Sequence, residues 1–226
     1  MIGTADHLVR GRTRRSDVGQ DPEHGGAAAE VVERLVDVGI DGRGPFLSAQ
    51  TVADAARREH PEVEQAVEAV VRRHVAMAAA SGFVTGIGGF VTLPVALPVN
   101  VVGFYLVATR MVAAVAALRG YDLREPGVRS AVMLTLVGAD VDDLLRQAGV
   151  PTGGRIVGLA TQRLPGPAAM VVNKGIGFKL LTSTGRSAFG LLGRGLPVLG
   201  GAVGAGVDGY LLYRLAGHAR RELPPR

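Results

Sequence analysis

The chain has no cysteine. Disulfides, thiolate metal sites and cysteine nucleophiles are therefore excluded, and the redox compartment is left open. It has no tryptophan, and its aromatic residues are 6 Phe and 4 Tyr. These are scattered rather than interleaved with basic residues, so the stacking platform of a single-strand nucleic-acid binder is missing. Nucleic acid is not an expected partner. The aromatic belt of an integral membrane protein is equally thin. Of 25 basic residues only Lys174 and Lys179 are lysines. No apolar h-region follows Arg10, Arg12, Arg14 and Arg15, and the Arg14-Arg15 pair runs into polar Ser16, Asp17, Gln20 and Asp21. Neither a secretory nor a twin-arginine signal is read there. Residues 1–26 are expected to be a disordered basic tail, and the location cytoplasmic. Strand patterns of period two between hairpin turns are also missing.

What is present is apolar and small. The 226 residues carry 33 glycines, 47% hydrophobic residues and a mean hydropathy of +0.26. The length suits one domain, read over 27–226. A net charge of +5 has two readings. One is a surface that meets phosphate. The other is the Arg, Ala, Gly and Val usage of a GC-rich genome.

The periodicity predicts an all-α fold. Val31, Val32, Leu35 and Val36 are spaced for one helix face, and Gly39, Gly42 and Gly44-Pro45 end that helix. Ser48 is placed to N-cap a helix to about Glu59. The next helix opens with Pro61, Glu62 and Glu64, and Glu68 and Arg72 are spaced as an i,i+4 pair. From Val75 to Thr109 there is no Asp, Glu, Lys, Arg or His. As one straight helix this run would be ~52 Å, longer than a bilayer core of ~30 Å. It is read as two arms around a Leu93–Pro98 turn, the second arm reaching Arg119 with Gly120 as its C′ residue. Helices are expected over 126–137, 140–148 and 168–184, and a last one over 196–223. The architecture is thus a helical bundle built around a buried Gly/Pro-rich apolar hairpin.

The stretch Gly82-Phe83-Val84-Thr85-Gly86-Ile87-Gly88-Gly89 is followed by Leu93-Pro94, Leu97-Pro98, Arg110 and Gly120-Tyr121-Asp122. In that order these residues resemble the bacterial EcsC protein family. Pro197-Val198-Leu199-Gly200-Gly201-Ala202-Val203-Gly204-Ala205-Gly206 looks like the family's second Gly-rich block, and Arg214 to Ala219 fits its ending. Gly201 and Asp208 depart from the small or Asn-like residues expected there. The resemblance covers roughly residues 27–222. It implies a hydrophobic, membrane-associated protein. The family takes its name from a gene beside an ABC transporter, so such a transporter is an implied partner. No catalytic residue can be carried over.

Several constellations of residues are candidates for chemistry. Arg110 lies well inside the apolar hairpin. Spanning a bilayer there costs about 2.5–3.5 kcal/mol for the arginine; inside a bundle it needs a carboxylate or carbonyl, with Asp122, Asp140 and Asp208 as candidates. Arg110, Asp122 and Asp208 are therefore the candidate ligand-binding set. Gly200 and Gly204, and likewise Gly193, Gly201 and Gly209, suit close helix approach. The segment Gly204 to Gly209 fits G-x-G-x-x-G, but the preceding strand of a dinucleotide site is missing. Gly185-Arg186-Ser187-Ala188-Phe189-Gly190 falls one position short of a nucleophile elbow. The histidines are dispersed, and His60 with Glu64 makes no zinc motif, so no metal or cofactor is expected. Lys174, Lys179, Arg186 and Arg194 concentrate charge beside apolar stretches, as a lipid-binding surface does.

Two functions follow. The first is a non-enzymatic accessory protein, membrane-associated or lipid-binding, peripheral to the inner face of the cell membrane, with anionic lipid as partner. The second is a soluble all-α enzyme with an apolar or lipid-like substrate near Arg110. Small-residue helix faces also serve homo-oligomers, which would put a second copy of the chain among the partners.

Overall fold

The computed structural model describes residues 34–87, 89–137 and 197–226. Among these the protein is all-α. Helix α1 runs over residues 34–41, α2 is Ala49–Glu59, α3 is Val63–Ile87, α4 is Gly89–Leu118, α5 is Pro126–Val137 and α6 is Pro197–Glu222. The only β pairing among the described residues is an isolated bridge between Arg43 and Phe46. The tail over 1–26 and the expected helices over 140–148 and 168–184 lie outside the described residues.

Local chemistry explains the ends. The Ser48 hydroxyl accepts from the Thr51 amide at 3.1 Å, which satisfies one orphan donor of α2. Ala49, Ala53 and Ala56 recur at helical spacing and are its buried stripe. At the end of α4, Tyr121 N–H donates to Ala116 O and Gly120 N–H to Ala117 O, each at 3.1 Å. Those two bonds make a Schellman motif, which needs the left-handed φ of +88° that Gly120 supplies. The next free carbonyl, Leu118 O, accepts from Arg57 Nη2 at 2.6 Å.

The hairpin turns earlier than its prolines suggest. The break falls between Ile87 and Gly89, and α4 runs helically through Pro94 and Pro98. Proline's fixed φ is itself helical, so a helix can continue through it at the cost of a backbone bond and a clash with the preceding turn. Glycine disfavours helix less than proline does, but its backbone reaches conformations closed to other residues, which lets the chain turn in the Gly-rich stretch.

The C-terminal half of α4 is the centre of the bundle. Ala108 and Met111 to Ala116 have no accessible surface, so this segment is enclosed on every side. Helices α2, α3, α5 and α6 all pack on α4, and their buried side chains form one contiguous core with it. Ion pairs tie the outside together. Arg129 on α5 reaches Asp37 at 2.9 Å and Asp41 at 2.6 Å on α1. Arg73 pairs with Glu59 across the α2–α3 corner. Glu68 pairs with Arg220 of α6 at 2.5 Å, so the expected helix-internal pair with Arg72 is replaced by a bridge between helices.

The longest contact is the antiparallel pair α3–α6. Gly82 lies against Gly204, and Gly86 against Gly200. A Cβ at Gly200 would stand 2.7 Å from Gly86 O, and one at Gly204 would strike Gly82 O. Backbone meets backbone here, which only glycine allows.

Candidate functional site

Three arginines are drawn into the fold; Arg119 and Arg129 are ion-paired, with only Arg119 Nε left without a hydrogen-bond partner. Arg119, 7% exposed, follows the last turn of α4. Its Nη2 donates to both carboxylate oxygens of Glu64, at 2.9 and 3.0 Å. Its Nη1 donates to Arg220 O at 2.6 Å and Leu223 O at 2.7 Å, capping α6. The C-terminal residues close over it: Tyr121 Oη donates to Pro224 O at 2.8 Å, and Arg226 lies 4.3 Å from the Tyr121 ring centroid. Arg129 donates to Asp37, Asp41 and Leu123 O.

Arg110 is different. It is 5% exposed, and its Nε and Nη2 have no hydrogen-bond partner. It forms no ion pair among the described residues. Its guanidinium carbon sits 5.3 Å from the centroid of the Phe46 ring, a cation–π contact made by a side chain that is itself 45% exposed. Burial pushes the Arg110 pKa below its ordinary value. The adjacent Thr109 hydroxyl is buried and also lacks a partner. Helix α1 comes this close because residue 39 is glycine: a Cβ there would stand 2.7 Å from Thr109 Cβ and Cγ2.

His74, buried on α3, faces the same charge. Its Nδ1 lies 2.8 Å from Val70 O, so Nδ1 carries the hydrogen and Nε2 the lone pair of the neutral ring. Its pKa is lowered, first by burial, against the Val70 hydrogen bond that favours the charged form, with the charges of Arg110 and Arg73 lowering it further. His74 and Arg110 are the two residues that bracket the uncharged run 75–109. The α3–α4 hairpin folds that run back on itself and brings its ends together. The sequence carried that signal, whereas nothing in it marked Phe46.

The candidate set of Arg110, Asp122 and Asp208 is not assembled: no hydrogen bond or ion pair joins any two of them. Asp122 is exposed beyond the end of α4, where Oδ1 accepts from Arg124 N at 2.9 Å. Roughly 12 Å of helix separates Arg110 from Leu118 alone. Asp208 is buried on α6 against Gly82, whose Cβ, if present, would lie 2.6 Å from Asp208 Oδ2. Gly82 is in turn about 12 Å along α3 from His74. The expected partners Asp122 and Asp208 therefore do not neutralise Arg110, because the helix ends and the α3–α6 register hold them elsewhere. Asp140, Lys174, Lys179, Arg186 and Arg194 lie outside the described residues.

The glycine spacings are packing features. Gly200, Gly201, Gly204 and Gly209 all face α3, and the G-x-G-x-x-G stretch lies inside α6. No three metal-ligating side chains cluster among the described residues. No helix among the described residues is long and apolar enough to cross a membrane.

Comparison with curated proteins and with solved structures gives no match. The model of the EcsC protein family matches residues 28–150, which spans α1 to α5 and so includes Gly39, Phe46, His74 and Arg110. The match covers more than half of the chain and takes in the first Gly-rich block, Arg110 and the Gly120-Tyr121-Asp122 cap; the chain belongs to the EcsC protein family.

Proposed function

We propose that this EcsC protein is a non-enzymatic, membrane-associated accessory protein that docks on anionic lipid through the solvent-facing sides of the α3–α6 pair. One observation carries this reading: the order of exposed residues along that pair. Near the hairpin break, Phe83 and Val84 on α3 and Val203 on α6 are exposed, Val84 by 70%. Met77, Leu211 and Tyr210 follow, then Tyr213 at 64%. The antiparallel register set by Gly82 against Gly204 brings Tyr213 and Arg214 level with Arg73 and Arg72, all four exposed. The surface thus passes from apolar, through tyrosine, to arginine.

That order matches the layers of a membrane surface. Apolar side chains enter the acyl boundary, tyrosines favour the interface, and arginines meet lipid phosphates. Seven of the ten exposed large hydrophobic side chains among the described residues belong to α3 and α6, and such a concentration marks a contact surface. An ABC transporter in the same membrane is the partner we assign to a protein held there.

Sedimentation with vesicles tests the reading. Binding is expected to phosphatidylglycerol-containing vesicles and not to pure phosphatidylcholine, and to weaken as salt screens the arginines. A Phe83→Asp, Val84→Asp double variant is expected to stay in the supernatant. Equal pelleting of that variant, or no binding of the wild type at low salt, would overturn it.

A further inference from the structure

We propose that Arg110 is the anchor of a phosphate-binding site, closed by Phe46 and flanked by His74. The fold treats its other buried arginine differently. Both terminal nitrogens of Arg119 are engaged, by a carboxylate and two helix-terminal carbonyls, and only its Nε lacks a partner. Arg110 is buried as deeply, yet two of its nitrogens have nothing to donate to. A buried charge without a counter-ion is costly, and the cost is relieved when an anion arrives. The Nε–Nη2 edge is one of the guanidinium edges that bind two oxygens of an oxyanion side by side. That edge is the vacant one.

The surroundings suit an exchangeable ligand. Phe46, which covers the guanidinium, is half in water and sits in the short α1–α2 loop. That loop turns on Gly42 and Gly44, with φ of +74° and +59°. The ring belongs to a loop rather than a helix, so this part of the arginine's cover can move without unpacking a helix. The hydrogen-bonding pattern favours phosphate over carboxylate. Arg110 supplies one fixed positive charge, and the neutral ring of His74, with Nδ1 on Val70 O, offers an acceptor lone pair at Nε2. A hydrogen phosphate carries both the oxygens that the arginine binds and an O–H that can donate to that lone pair, whereas a carboxylate offers only the oxygens. Arg73 is the further cation acting on His74.

The inference is independent of the membrane contact, since Arg110 lies in the core and the first arm of its test contains no lipid. That arm titrates the full-length chain with inorganic phosphate at constant ionic strength and follows the melting temperature. The expected result is a saturable rise, weakened about ten- to hundredfold in Arg110→Met and matched by acetate only at much higher concentration. Arg110→Lys keeps the charge and loses the fork, so it shows the fold is intact while binding falls. The second arm adds vesicles of phosphatidylcholine doped with phosphatidate. Displacement of phosphate by these vesicles, lost in Arg110→Met, identifies a lipid headgroup as the source; no displacement identifies free phosphate. If wild type and Arg110→Met respond alike to phosphate and to vesicles, the site does not exist. The same holds if Arg110→Met is strongly destabilised while phosphate does nothing, because Arg110 then has a carboxylate partner within the chain.

Discussion

At the residue scale, an arginine inside a helical core is decided by its partners rather than by its depth. Arg119 closes two helices with one side chain, joining Glu64 on α3 to the last carbonyls of α6. Arg110 joins nothing and leans on an aromatic ring. His74 has the opposite constraint: burial holds it neutral. Its lowered folded pKa makes the unfolded chain bind the extra proton first. Its stabilising contribution is complete above the unfolded value of about 6.5 and is lost as pH falls through the lower folded value. Urea unfolding in phosphate-free buffer at pH 7.5 and pH 5 measures this. The wild type is expected to lose more stability over that interval than His74→Leu; equal losses would show that His74 titrates normally.

At the element scale, the α3–α6 pair is held at backbone distance by glycines that are not equivalent. A methyl at Gly204 strikes Gly82 O, whereas a methyl at Gly206 meets nothing within 4 Å. Gly204→Ala should therefore destabilise the protein by about 1–3 kcal/mol, the usual cost of forced overpacking. Gly206→Ala should stabilise it by about 0.5–1 kcal/mol, the helix-propensity gain. Chemical denaturation of the two variants checks the register directly, since equal effects would mean that α6 presents a different face.

Much at this scale was legible beforehand. Ser48, Gly120 and Pro126 mark ends of α2, α4 and α5, because capping is local chemistry that a few adjacent residues determine. The hairpin break was not legible, because Pro94 and Pro98 read as stronger breakers than the glycines before them. Glycine spacing announced a close approach but not its partner, since register belongs to two segments more than a hundred residues apart. The candidate site was half legible. Arg110 stood out as the lone charge ending a long apolar run. That Asp122 and Asp208 would lie elsewhere depends on three-dimensional placement, which no spacing encodes.

At the scale of the whole molecule, the two proposed contacts fall in different regions of the fold. The family-matched α1 to α5 region encloses Arg110, and α6 completes the surface whose exposed residues grade from apolar to basic. Membrane contact through that surface is the central claim, and the absence of cysteine makes it simple to test. A single cysteine at Val84→Cys, carrying an environment-sensitive fluorophore, reports on the apolar end of the α3–α6 pair. The same probe at Asp54→Cys, on the exposed side of α2, is the control. On adding anionic vesicles, the emission at position 84 should shift to the blue and brighten, while position 54 stays unchanged. A probe at 84 that remains in water, or equal shifts at both positions, would contradict the docking surface assigned here.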